Sequence, residues 1–138
     1  MPDTPGWQIE LGGSELARVE QHGSDLVIVL AAARVPGACR MQGQGPIDGH
    51  LQGVRLHLLQ ATWEGWPSAM VGRLDEVTWA CGQTGATRLR SSLTAPSSGT
   101  TPIRLSLCTA FGDHLEVQAQ AWRIDLLEGG KFTPSLAC

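Results

Sequence analysis

Asp48, His50, Arg55 and His57 fall close together in the chain, with Cys39 a short way upstream. These side chains can hold a metal or relay a proton, because imidazole titrates near neutrality and thiolates and carboxylates are ligands. If Asp48-x-His50 and His57 converged with Cys39 at one end of a β-structure, with Arg55 beside them, such a site would result. The alternation of Arg55 and His57 with apolar neighbours favours a plainer reading. Both would then be the wet side of a strand, with His50 in a connecting loop.

Motifs with a mechanism of their own are missing. Gly43-x-Gly45-x-x-x-Gly49 has the wrong spacing for a dinucleotide-binding turn. Gly129-Gly130-Lys131 is followed by Phe132, where a phosphate-binding loop needs Ser or Thr. There is no GxSxG, HxH, HExxH or CxxC. Asp75 and Glu76 are adjacent, so on a strand they point to opposite faces. Asp113-His114 reads as turn chemistry. The sequence therefore assigns no catalytic residue, no metal and no cofactor.

Binding is the remaining chemistry. Five of the seven aromatic residues are Trp, which buries a large area while keeping one donor. Trp66, between Gly65 and Pro67, is the one a turn would expose. The expected function is a non-enzymatic binding or assembly module that self-associates as a homo-oligomer. The alternative is a small-molecule-binding β-barrel whose site, near a loop over residues 37–53, is lined by Trp66, Arg55, His57 and His50.

The charge balance narrows the partners. Net charge is -3 with a pI of about 5.7, which argues against nucleic acid and anionic membranes, since both call for clustered Lys and Arg. Nine of the ten basic residues are Arg and there is no Asn or Tyr, a composition expected of a GC-rich bacterial genome. With no leader-like start, no apolar run of membrane-spanning length and four scattered cysteines, the expectation is a cytoplasmic chain without disulfides.

Strands must position whatever site exists. Residues 23–35 (GSDLVIVLAAARV) return as residues 112–124 (GDHLEVQAQAWRI), sharing Gly23/Gly112, Leu26/Leu115, Ala32/Ala121 and Arg34/Arg123. Each copy reads as a hairpin turning at its Gly, preceded by residues 15–21 or 103–110. Residues 15–21 contain good helix formers, but the run is short and lies between Gly turns, so strand is preferred. Four identities fit either chance or duplication. Arg34 and Arg123 would either snorkel at a sheet edge or face acidic groups of a partner.

Residues 26–33 are apolar throughout, which predicts a strand covered on both faces, by another layer or by a second subunit. Along residues 115–126 the apolar set changes phase. Leu115, Val117, Ala119 and Ala121 give way to Trp122, Ile124 and Leu126, predicting a bulge or a crossing between layers at residues 120–122. A turn is expected at Gly12-Gly13-Ser14, loops at 37–53 and 94–102, one strand over 54–63, an edge strand over 86–93, and a tail docking through Phe132 and Leu136. The sum is one all-β domain over residues 1–138, an antiparallel barrel or sandwich of about eight short strands. A barrel is preferred, because pairing of the two hairpins would remove the edges.

Overall fold

The computed structural model describes residues 7–40, 46–81, 88–89, 93–126 and 132–134, with the side chains of 7, 36–40, 46–48, 81, 88–89 and 132–134 outside that description. Its strands are β1 (Trp7–His22), β2 (Asp25–Arg40), β3 (Pro46–Leu51), β4 (Val54–Leu59), β5 (Thr62–Gly65), β6 (Gly72–Cys81), β7 (Arg88–Leu89), β8 (Leu93–Ala95), β9 (Ser97–Gly99), β10 (Ile103–Thr109), β11 (His114–Ala119), β12 (Ala121–Leu126) and β13 (Phe132–Pro134). All pairings are antiparallel. The hydrogen-bonded path runs β5-β11-β10-β6-β1-β2-β4-β12-β9, with β3, β7, β8 and β13 attached beside it. Among the described residues the one helical element is a 3-10 turn, Pro67–Ala69, and no helix is long and apolar enough to cross a membrane.

Both expected hairpins form. β1 and β2 join at Gly23-Ser24, with His22 opposite Asp25 and Gly23 at φ 63°. β10 and β11 join by a wider turn, in which the Thr109 N–H donates to the Asp113 carbonyl at 2.8 Å and Gly112 takes φ 89°. Positive φ is what reserves these turns for glycine. The hairpins do not pair with each other, contrary to expectation. β6 lies between them, laddered to β10 along its length and to β1 at Glu15 and Leu16.

The phase change is present at Gln120. β11 pairs with β10 and β5, whereas β12 pairs with β4 and β9. The stretch over residues 23–35 shifts phase at the matching place. Leu16 lies opposite Leu30 and Glu15 opposite Ala32, so Ala31 is an extra residue and is exposed. The core then takes Leu26, Ile28, Leu30, Ala33 and Val35 from one stretch and Leu115, Val117, Ala119, Trp122 and Ile124 from the other. These are the same five positions of the aligned stretches.

Several boundaries move. Gly12-Gly13-Ser14 is a kink inside β1, not a turn between strands: Gly13 has φ 85°, and the register with β2 slips between Glu10 and Glu15. Ser14, fully buried, donates its hydroxyl to the Glu10 carbonyl (2.6 Å) and accepts the Arg34 N–H (2.9 Å). Most of the loop expected at 37–53 is strand, because β2 runs to Arg40 and β3 pairs back onto it; residues 41–45 lie outside the description. Residues 54–63 divide at Gln60 (φ 48°) into β4 and β5, bending where β11 passes to β12. Residues 94–102 contribute β8 and β9, and β8 pairs with the start of β1. The expected edge strand over 86–93 is reduced to β7 and the first residue of β8 within the described residues. β13 pairs with β3, so the tail docks through its backbone; Leu136 lies outside the description.

One chain suffices to cover both faces of residues 26–30. Leu26, Ile28 and Leu30 enter the core, while Val27 and Val29, on the other face, are only 6% and 8% exposed. Register places Val27 between Glu20 and His57, and Val29 between Arg18 and Arg55. Long polar side chains of the neighbouring strands thus shelter two short ones, and neither a second layer nor a second subunit is needed there.

Candidate functional site

Cross-strand alignment builds an outer face with two polar rows. One reads Glu20, Val27, His57, Arg123, Ser98; the next reads Arg18, Val29, Arg55, Asp125. Side chains directly opposite one another are neighbours on a sheet face. Val27 of β2 forms the floor of a trough, and β1 and β4 supply its walls. The resulting depression of about 300 Å³ is lined by Glu20, His22, Asp25, Val27, Arg55 and His57.

Most charges on this face are spent on one another. Arg18 Nε donates to Glu20 at 2.5 Å, and His22 Nε2 lies 3.0 Å from the other Glu20 oxygen. Those two neighbours, His22 foremost, hold the Glu20 carboxyl down to about 2. Asp125 accepts from Arg123 Nε at 2.9 Å and lies 3.1 Å from His57 Nε2. Burial, reinforced by the nearby Arg123 charge, pushes the His57 ring below the usual imidazole range, although Asp125 opposes this. Asp25 Oδ1 accepts the Gln60 N–H at 2.9 Å. Arg55 differs: its Nε is buried with no hydrogen-bond partner.

The candidate residues therefore divide among separate places. Arg55 and His57 share the trough. His50 sits on β3 opposite Arg34, beyond the Gln52-Gly53 kink, and is not part of the trough lining. Trp66 stands at the start of the 3-10 turn, 78% exposed. The side chains of Cys39 and Asp48 lie outside the description. Among the described residues no group of three or more His, Cys, Asp or Glu is placed to hold a metal ion. Arg34 pairs with Glu10 and Arg123 with Asp125 inside the chain.

A second feature surrounds Trp66. Phe111 is 77% exposed and Val71 49%. Gly72, next to Val71, has φ 101°, and the Phe111 ring fills the space a β-carbon there would need, 2.8 Å from that position. The Ala110 N–H donates to the Arg73 carbonyl at 2.8 Å, tying the turn that carries Phe111 to the start of β6. Gly65, before Trp66, packs under the His114 carbonyl with φ 115°. Trp66, Val71 and Phe111 thus crown one rim of the sheet, beside β5. The sequence flagged Trp66 through its turn context. Phe111 carried the same signal, an aromatic beside a turn Gly, and was missed.

Compared with known proteins, the chain matches no family profile, no curated sequence and no solved structure.

Proposed function

We propose that the protein is a non-enzymatic assembly module that self-associates through the rim formed by Trp66, Val71 and Phe111. The observation that carries this reading is the exposure of the three on neighbouring turns held by backbone hydrogen bonds and glycine contacts. Exposed aromatics grouped on a rigid support are typical of binding surfaces, whereas singly scattered ones are not. β5 favours a second copy as the partner. It ends the strand path, pairing with β11 and with no other strand among the described residues. An edge of this kind can pair antiparallel with its own copy around a twofold axis, bringing both rims together.

The same reading includes closure of the sheet and duplication of the hairpin. Support for closure comes from residues 93–99, which pair with β1 through β8 and with β12 through β9, and from one hydrophobic core shared by β11 and β12, which lie next to opposite ends of the path. A single sheet without helices buries a face only by folding back on itself. Support for duplication comes from the matching core positions and the matching phase change of the two copies.

Sedimentation equilibrium of the full chain tests the proposal. The expected result is a concentration-dependent dimer that Trp66→Ser or Phe111→Ser shifts to monomer with little change in urea midpoint. A monomer at every concentration, or a dimer indifferent to both substitutions, would overturn it.

A further inference from the structure

We infer, on the footing of the β5 pairing proposed above, that self-association is gated by charge. The ionised carboxylates of Glu64 and Glu116 hold the β5 edges of two copies apart, and screening or removing those charges brings the edges together. Glu64 stands on β5 directly opposite Glu116 of β11, both exposed on the outer face. They share an open depression whose other lining residues, Thr62, Trp63 and Gln118, carry no charge. Like charges directly opposite one another on a sheet repel. Little offsets this pair among the described residues. Glu64 has no hydrogen bond or ion pair there. Glu116 meets the His114 ring at 3.9 Å, and that ring is engaged with the Ser106 hydroxyl at 3.0 Å. From β10, neutral Ser106 lies opposite Glu116, and Arg104 lies opposite Gln118 and not opposite either carboxylate.

Symmetry decides what a second copy brings to this edge. A twofold axis between two copies of one antiparallel strand passes through a residue that lies opposite its own counterpart. The start of the edge is closed by the β1–β2 hairpin, where the Ala61 N–H donates to the Ser24 carbonyl at 2.7 Å. β5 ends at Gly65, before the 3-10 turn. Only Thr62–Gly65 are left to pair, and the axes that pair most of them lie at Trp63 and at Glu64. With Glu64 on the axis, the two Glu64 carboxylates are directly opposite. With Trp63 on the axis they are diagonal neighbours, roughly 7–8 Å apart. In both arrangements Glu116 of each copy lies one strand further in, so four carboxylates line one face of the joined edge. Charge on an edge strand is a means by which sheets resist uncontrolled pairing. Here it opposes a pairing that the rim favours, which makes the contact responsive to ionic conditions.

The test is sedimentation equilibrium of the full chain at neutral pH, from about 50 to about 300 mM sodium chloride. The variants are Glu64→Gln, Glu116→Gln and, as control, Glu15→Gln, which removes an equal charge from an exposed position of β1. The wild-type dimer should tighten about threefold to tenfold across the salt range, and Glu64→Gln should already reach the tight value at low salt. Glu116→Gln should act in the same direction and less, and Glu15→Gln should behave as the wild type. A dimer equally weak in Glu64→Gln and wild type, or strengthened as much by Glu15→Gln, would overturn the gate. The rim reading would survive that result if Trp66→Ser still dissociated the dimer. Monomers throughout, in the wild type and in Glu64→Gln alike, would sink both. A dimer that appears only in Glu64→Gln would uphold the gate, and Trp66→Ser in that background would then decide whether the rim takes part.

Discussion

Trp79 of β6 and Trp122 of β12 meet edge to face, with ring centroids 5.4 Å apart and planes at 88°. β1, β2 and β4 lie between their strands on the hydrogen-bonded path. At about 4.8 Å per strand, four steps across a flat sheet would hold them roughly 19 Å apart. The proposed closure accounts for their contact. Trp79→Ala and Trp122→Ala should each cost about 3–5 kcal/mol in urea unfolding. The double mutant should recover about 0.5–1.5 kcal/mol relative to the sum, the usual coupling of an aromatic pair. Additive losses would mean that the rings contribute separately and that the contact closes nothing.

Ser14 makes a local prediction about the kink in β1. Its hydroxyl bridges the Glu10 carbonyl and the Arg34 N–H at zero exposure. Ser14→Ala leaves the N–H without that acceptor and should cost about 1–3 kcal/mol. Faster amide exchange at Arg34, with the Val19 and Val27 amides unaffected, would place the loss at the kink. Unchanged exchange at Arg34 would show that the hydroxyl does not hold the bulge.

The all-β class was legible because period-two alternation and Gly turns leave few alternatives. The phase change at Gln120 was legible for the same reason: polar residues interrupt residues 115–126, so the switch from Ala119 to Trp122 can be read. The equivalent switch at Ala31 was hidden, because residues 26–33 are apolar at every position and carry no phase. That uniformity also suggested a subunit interface, where the sheet needed only Arg18, Glu20, Arg55 and His57 beside two valines. Glycine misled in the opposite sense. At Gly13 and Gly53 it marks kinks within continuous pairing, and sequence does not distinguish a kink from a turn. Of the candidate site residues, alternation placed Arg55 and His57 on one strand face, but their companions Glu20 and His22 come from β1, through a register no local pattern reveals.

The outer and core faces of β2 and β11 should respond differently to one substitution. Val27 lines the trough among polar side chains, and Val117 lies in the core at 1% exposure. Val→Thr keeps the shape and adds a hydroxyl. In the core that hydroxyl finds no evident partner, so Val117→Thr should cost about 1–3 kcal/mol. Val27→Thr should cost less than about 1 kcal/mol, because the trough is polar-walled and open to water. Equal costs by urea denaturation would contradict this division of the strand.

Acidification should weaken the fold in two steps, and His57 sets the first. Its pKa in the folded chain lies below the unfolded value because burial and the Arg123 charge disfavour the imidazolium. Between the two values the unfolded chain binds more protons, so stability rises with pH across that window. His57 therefore contributes fully above its unfolded pKa, about 6.5. That contribution is lost as pH falls toward the folded value. Glu20 acts lower: its carboxyl, held at about 2 by His22 and Arg18, keeps its contribution above the ordinary carboxylate pKa and loses it toward pH 2. Exposure of that group keeps the second step shallow. Thermal midpoints of the wild type should decline from pH 7 to pH 5, and His57→Gln should flatten that first decline while leaving the lower one. A variant as steep as the wild type above pH 5 would assign the loss to another group.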